Sequence, residues 1–223
     1  MASEDARLRG LYAITPDGAD TESLLARTRL CLEGGASIVQ YRAKSLAPSA
    51  ALEQARRIAQ ECRGAGALFI VNDSPDLALA AGADGVHLGR EDADLREARI
   101  RMPRGVIGVS CYADPDRARA AAAAGADYVA VGSVFPSSTK PQAVRAPLDA
   151  IARAKAASGL PVAAIGGITA SNAVRVVDAG ADMLAVISAL YDAADVRAAA
   201  RSISRLFDVA QRSPDVRAQP RAV

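Results

Sequence analysis

Short apolar runs rich in β-branched residues recur along the chain, and most of them stop at glycine or at a reactive side chain. Leu11-Tyr12-Ala13-Ile14 is the first. Ser37-Ile38-Val39 runs into Gln40-Tyr41-Arg42-Ala43-Lys44, and Leu68-Phe69-Ile70-Val71 into Asn72-Asp73. Gly85-Val86-His87-Leu88-Gly89 leads to Arg90-Glu91-Asp92, and Val106-Ile107-Gly108-Val109 ends in Ser110. Tyr128-Val129-Ala130-Val131-Gly132 leads through Phe135-Pro136 to Ser137-Ser138-Thr139-Lys140. Val162-Ala163-Ala164-Ile165 ends in Gly166-Gly167, and Leu184-Ala185-Val186-Ile187 ends in Ser188. Strands that are apolar along their length are covered on both faces, as in a parallel sheet. Polar groups gathered at their C-terminal ends describe one chemically active face.

Helical patterns separate the runs. From Ala47 to Arg63 the apolar positions Leu52, Ala55, Ile58, Ala59 and Cys62 fall at helical spacing with charges between them. Asp114-Pro115 reads as an N-cap followed by proline in the first turn, continued by Ala118 to Ala124. Eight strand–helix units result, with right-handed crossovers. Gly35-Ala36-Ser37, Gly82-Ala83-Asp84, Gly125-Ala126-Asp127 and Gly180-Ala181-Asp182 each precede a strand, at intervals of 47, 43 and 55 residues. That is about two units, so the repeat marks strands two, four, six and eight. Physically it reads as a left-handed glycine ending a helix, then a tight entry into the strand. Eight units with this periodicity predict a single (β/α)8 TIM barrel rather than an open doubly wound sheet. The expected organisation is an N-terminal extension over 1–10, the barrel over 11–207 and a disordered tail over 208–223.

Composition narrows the function classes. With 223 residues there is room for the barrel and no second domain. A net charge of +2, without Lys/Arg clusters interleaved with aromatics, predicts no nucleic-acid partner. No run is long enough to span a bilayer. The charged stretch Met1 to Arg9 does not read as a secretory signal. Cys31, Cys62 and Cys111 lack metal or redox-pair spacing, so buried, reduced thiols and a cytoplasmic location are expected.

Three constellations carry chemistry. Asn72, Asp73 and Asp92 come from neighbouring strand ends and offer hard oxygen ligands suited to Mg²⁺, which completes its shell with water and substrate phosphate. Capping of a loop before Ser74-Pro75 is the plainer reading of Asn72-Asp73. Gln40, Arg42 and Lys44 alternate and share a face if the strand stays extended; two cations there, with Lys140 and the hydroxyls of Ser137 and Thr139, attract phosphate. Gly166-Gly167 and Ser188 follow strands seven and eight, where barrels offer backbone amides to an anion; a tight turn and a helix N-cap are the alternative. His87, the only histidine, sits inside a strand with no evident Ser or Cys partner and reads as structural. The chain therefore suggests two anion sites, one metal-assisted, and charge neutralisation of a leaving diphosphate rather than nucleophilic catalysis.

These motifs, with Val86-His87-Leu88-Gly89-x-x-Asp92, Val134-Phe135-Pro136 and Gly166-Gly167-Ile168, resemble the thiamine-phosphate synthase family from about Leu11 to Phe207. The resemblance implies a transferase that joins 4-amino-2-methyl-5-(diphosphooxymethyl)pyrimidine to thiazole phosphate and releases pyrophosphate through a dissociative step. It implies that Gln40, Arg42, Lys44, Asn72, Ser110 and Lys140 hold the pyrimidine diphosphate, with Tyr41, Ala43 and Ser138 lying in the same motifs. Asp73 and Asp92 would bind Mg²⁺; Ser137, Thr139, Gly167, Ile187 and Ser188 would hold the thiazole phosphate. Lys140, Arg42 and Ser110 are the candidate catalytic residues. Small-molecule substrates are the expected partners, and a homo-oligomer is compatible with this reading. The chain departs from the family pattern at Ser137, in place of Thr, and at Arg90, in place of Gln beside a metal aspartate. A related thiazole tautomerase would need a histidine near strand five, where Ser110-Cys111-Tyr112 offers none. A non-catalytic relative would lack the metal aspartates or Lys140.

Overall fold

The computed structural model describes residues 7–90, 92–137 and 142–211. Its strands are β1 (Gly10–Ile14), β2 (Ala36–Tyr41), β3 (Leu68–Asn72), β4 (Gly85–Leu88), β5 (Val106–Tyr112), β6 (Tyr128–Gly132), β7 (Val162–Ile165) and β8 (Met183–Val186). They pair in chain order, all parallel, and β8 returns to β1 to close the ring. Helices α1 (Thr21–Glu33), α2 (Pro48–Ala65), α3 (Pro75–Ala81), α4 (Leu95–Arg101), α5 (Pro115–Ala123), α6 (Asp149–Ser158) and α7 (Ala173–Asp178) make the crossovers. A short α8 (Ser188–Tyr191) and a long α9 (Val196–Gln211) follow β8. The chain is thus the single (β/α)8 barrel that the strand–helix alternation predicts.

The two-residue period of the strands sorts the core into two layers. Tyr12, Ile14, Ile38, Leu68, Ile70, Val106, Tyr128, Ala130, Ala163, Met183 and Ala185 fill the barrel interior. The alternate positions, such as Leu11, Val39, Phe69, Val86, Ile107, Val129 and Leu184, pack against the helices. On α2, Ala55, Ile58, Ala59 and Cys62 are buried as their spacing predicts. The Asp114 side chain caps α5 through the N–H groups of Asp116 and Arg117, with Pro115 in the first turn. All three cysteines are free and buried.

The Gly-Ala-Asp repeat has a mechanical role. Gly35, Gly82, Gly125 and Gly180 all have positive φ, between 67° and 99°, as a left-handed helix exit requires. The aspartates then latch the rim. Asp84, Asp127 and Asp182 each donate a backbone N–H to the carbonyl of Phe69, Ile107 and Val162 and accept that residue's N–H on a carboxylate oxygen, at 2.7–2.9 Å. A residue in β3, β5 or β7 thereby finds a partner for its amide at the N-terminal rim. In the β2 copy the aspartate is Ser37, which instead donates to Arg9 O. Arg99 reinforces one latch, bonding Asp127 and the carbonyls of Gly125, Met102 and Gly105.

The expected boundaries shift slightly. Leu8 is buried in the interior cluster and β1 starts at Gly10, so the barrel claims part of the expected extension. At the other end α9, which packs against α1, runs past Phe207 to Gln211. Residues 212–223 of the expected tail lie outside the described residues.

The latch predicts a stability effect far from the chemistry. Asp127→Ala leaves the Ile107 N–H and the Arg99 guanidinium without their acceptor, and should cost about 2–4 kcal/mol in urea denaturation. A loss within the error of the midpoint would show that the rim does not depend on it.

Candidate active site

The polar strand ends converge at the C-terminal mouth. Asp73 follows β3 directly, with its N–H on the carbonyl of His87 and a φ of 67°, unusual for a residue with a side chain. Asp92 lies beyond β4, where its Oδ2 accepts the Gly89 N–H at 2.6 Å. A side chain at Gly89 would collide with that carboxylate, since a Cβ there would lie 2.6 Å from Oδ2. Burial raises the Asp92 pKa; a hydrogen bond from its carboxyl to Asp73 and the charge of Asp73 raise it further, against the Gly89 N–H and Lys44. Lys44 Nζ sits 2.9 Å from Asp73 Oδ2. Two carboxylates from different loops thus share one small volume, with Lys44 paired to Asp73 and lowering the Asp92 pKa from further off. Such a pair suits a hard divalent cation. Among the described residues no group of three or more His, Cys, Asp or Glu side chains could enclose a metal.

The Gln40-x-Arg42-x-Lys44 motif divides where β2 ends, at Tyr41. Gln40 is buried inside the barrel, its Nε2 donating to the Tyr12 hydroxyl. Arg42 and Lys44 lie past the strand, in the loop. The Arg42 N–H is held by Thr15 Oγ1 at the end of β1, and its guanidinium lies 3.9 Å from Asp17. Asp17 Oδ1 accepts the N–H groups of Lys44 and Ser45 and the Ser45 hydroxyl. Burial works to raise the Asp17 pKa, but these donors and Arg42 hold it below the usual range. Asp17 and Thr15 therefore set the conformation of the basic loop. The sequence pattern does not single them out, because neither lies in a motif rich in chemistry.

Two motif residues prove to be packing groups. The Tyr41 side chain points away from the barrel axis and donates to Gln54 Oε1 on α2; burial pushes its hydroxyl up to about 12. As a substrate contact it could offer only backbone. Ala43 is half-buried against the helix-side core. Asn72 ends β3, half-buried.

Ser110 sits in β5 just before a register shift, and such irregularities re-aim side chains near sites. Its carbonyl accepts Arg117 Nε, and Arg117 also reaches Gly89 O, tying the ends of β4 and β5 together. The expectation that His87 has no serine partner is overturned: its Nε2 lies 2.9 Å from Ser110 Oγ and its Nδ1 2.9 Å from the Tyr128 hydroxyl. The linear distance of 23 residues hides a pairing between adjacent strands. Arg90, two residues before Asp92 and a departure from the family pattern, has its guanidinium 4.9 Å above the Tyr112 ring.

On the β6–β8 side, the chain after β6 lies along the end of β7, with the Val134 and Phe135 N–H groups on Ile165 O and Gly166 O. Gly167 has a φ of 61°, and a Cβ there would fall 2.1 Å from Pro136 O. The glycine is thus demanded by the neighbouring loop, not only by space for a ligand. Ser188 is the first residue of α8 rather than its N-cap; that position is Ile187, whose carbonyl accepts from Leu190 and Tyr191. Ser137 is half-buried. Ser138, Thr139 and Lys140 lie outside the described residues.

The carboxylate pair makes a prediction for the metal-free protein. Asp92→Asn keeps an acceptor for the Gly89 N–H and removes the repulsion from Asp73, so it should melt higher than the parent at pH 8. A raised folded-state pKa penalises the charged form, a penalty present at high pH and lost as pH falls through that pKa. The advantage should therefore shrink as the pH drops toward the carboxylate range. Melts in chelator across pH 4–8 check this, and an unchanged or lower melting temperature at pH 8 would contradict the crowding.

A family model described as thiamine monophosphate synthase matches residues 11–190. Thiamine-phosphate synthase of Aromatoleum aromaticum is 55% identical over 205 residues, covering 92% of this chain and 99% of the relative. That of Thiobacillus denitrificans is 56% identical over 199 residues, covering 89% and 94%. Among solved structures, a thiamine phosphate pyrophosphorylase from Pyrococcus furiosus superposes with a TM-score of 0.82 at 36% identity, covering 92% of this chain and 98% of that one. With the barrel, the paired aspartates and the basic β2 loop in the order the motifs require, the chain belongs to the thiamine monophosphate synthase family.

Proposed function

We propose that the C-terminal mouth of the barrel joins 4-amino-2-methyl-5-(diphosphooxymethyl)pyrimidine to thiazole phosphate, giving thiamine phosphate and pyrophosphate. The observation that carries this reading is the Asp73–Asp92 pair with Lys44 beside it, in a chain of this family. The bond from the pyrimidine methylene carbon to the diphosphate oxygen breaks, and its electron pair leaves with pyrophosphate. The thiazole nitrogen then supplies the pair for the new carbon–nitrogen bond.

The chain's own groups serve the leaving diphosphate. Asp73 and Asp92 would hold Mg²⁺, which when bound neutralises charge on the diphosphate oxygens. With a cation on the carboxylates, Lys44 no longer has to balance Asp73, and its ammonium can turn to the same oxygens. Arg42, already oriented by Thr15 and Asp17, offers a planar fork to phosphate. Lys140 adds a further cation. Cations placed where charge grows as the bond breaks accelerate the step more than they tighten binding. Gln40, Asn72 and Ser110 would hold the pyrimidine. The amides around Gly167 and Ser188, with Ile187, Ser137 and Thr139, would take the thiazole phosphate at the β7 and β8 ends, the usual anion position in such barrels. Three buried thiols, each pushed up to about 12 by burial, suit a reducing cytoplasm.

The test is pyrophosphate release with both substrates present. It should require a divalent cation, and Asp92→Asn should slow it by about 100-fold or more while the fold persists. Full turnover in chelator would remove the metal assignment, and no release under any condition would remove the reaction. Lys140→Ala should lower kcat by roughly 100- to 1,000-fold with little change in the thiazole KM. A selective KM defect at normal kcat would place Lys140 on the thiazole phosphate instead.

A further inference from the structure

Five side chains from five strands are joined end to end through the barrel interior. Gln40 Nε2 donates to the Tyr12 hydroxyl at 2.7 Å, and the Tyr12 and Tyr128 hydroxyls are 2.7 Å apart. Tyr128 meets His87 Nδ1 at 2.9 Å, and His87 Nε2 meets Ser110 Oγ at 2.9 Å. Tyr12, Tyr128, Gln40 and His87 are all buried. The packing is specific. Gly108 lies between His87 and Tyr128 in the sheet register, and a Cβ there would fall 2.0 Å from the Tyr128 ring. The missing side chain is what lets that ring lie across β5 and stack on His87, with ring centroids 5.6 Å apart.

The donor count along the chain is restrictive. Each hydroxyl has one proton and, in the neutral form of His87 to which the relay applies, the imidazole has one N–H. Gln40 donates to Tyr12, so Tyr12 donates to Tyr128, Tyr128 to Nδ1, and Nε2–H to Ser110. Burial holds both phenols well above their ordinary range, so both keep their protons. What remains free is the Gln40 Oε1 acceptor beside its second N–H at one end, and the Ser110 hydroxyl proton at the other. Turning the Gln40 amide over reverses every link and exchanges the two roles. In one sense Gln40 Oε1 and the Ser110 proton both face the mouth free; in the other both are committed to the relay, leaving N–H groups at Gln40 and only lone pairs at Ser110.

We propose that Tyr12, Tyr128 and His87 form a positioning relay that ties the hydrogen-bonding sense of Gln40 to that of Ser110, presenting a matched acceptor and donor to the pyrimidine. This rests on the assignment of Gln40 and Ser110 to the pyrimidine above. An aminopyrimidine carries an amino donor and ring-nitrogen acceptors, the complement of such a pair. The three relay residues need not touch the substrate.

A double-mutant cycle tests the relay. Binding of the pyrimidine diphosphate with Mg²⁺ is measured by calorimetry for the full chain and for Gln40→Met, Ser110→Ala and the double variant. If the ends act as a unit, the double variant should lose less than the product of the single losses, by roughly 5-fold or more. Tyr128→Phe keeps the ring and cuts the relay, so in that background, destabilised but still folded at the assay temperature, the losses should multiply simply. Tyr12→Phe is the second cut if Tyr128→Phe does not fold. Independent losses in the uncut protein would overturn the relay, as would coupling that survives both cuts. Wild-type protein that neither binds the pyrimidine diphosphate nor releases pyrophosphate would remove the functional reading and the relay together. Normal turnover with independent losses would remove the relay alone.

Discussion

Everything at the mouth of this barrel depends on closure of a parallel sheet whose strands alternate strictly between inside and outside. Once β8 pairs with β1, every second residue of each strand is committed to one narrow interior. Apolar residues crowd the interior, and the polar relay crosses it toward the mouth. Because no edge remains, a polar side chain inside must find its partner on another strand. Gln40, Tyr12, Tyr128, His87 and Ser110 do so in a single connected line. Where β2 gives way to loop at Arg42, the same parity brings the charged groups out of the barrel and over its top.

The two rims of the ring divide the work. At the N-terminal rim, carboxylates are spent on backbone amides, and Asp84, Asp127 and Asp182 are satisfied in the folded protein. At the C-terminal rim, Asp73 and Asp92 crowd each other, with Lys44 beside them. The same residue type thus closes the scaffold at one end and crowds like charges together at the other. Crowded charge is tolerable on loops because the strands beneath are fixed by packing that does not involve it.

The fold was legible because its signals are local and repeated. Apolar runs, helical spacing and the Gly-Ala-Asp entries gave the strand count, and their regularity left few topologies. The paired aspartates were legible too, since each stands at the end of an apolar run. What the sequence hid was pairing across the interior. His87 looks isolated in the sequence because Ser110 and Tyr128 are distant in the chain, and Tyr41 stands inside a motif of polar residues although its parity turns it outward to Gln54. Inward parity was the available signal: Tyr12, Gln40, His87, Ser110 and Tyr128 all occupy interior positions, where a hydroxyl, amide or imidazole must bond to something. Asp17 left no comparable trace, since its task of holding the Lys44–Ser45 backbone exists only once the loops have met.

The contact between Gly108 and Tyr128 also constrains how the chain can vary. The ring occupies the volume that any side chain at 108 would need, so position 108 cannot gain a side chain while 128 keeps its ring. A larger residue at 108 becomes acceptable only after 128 has become small, and the intermediate with a small residue at both would leave a void in the barrel interior. Along a lineage a side chain should therefore enter 108 only once 128 has given up its ring, and a sequence with a side chain at 108 would be expected to have surrendered the interior tyrosine, and with it the connection from one wall of the barrel to the other.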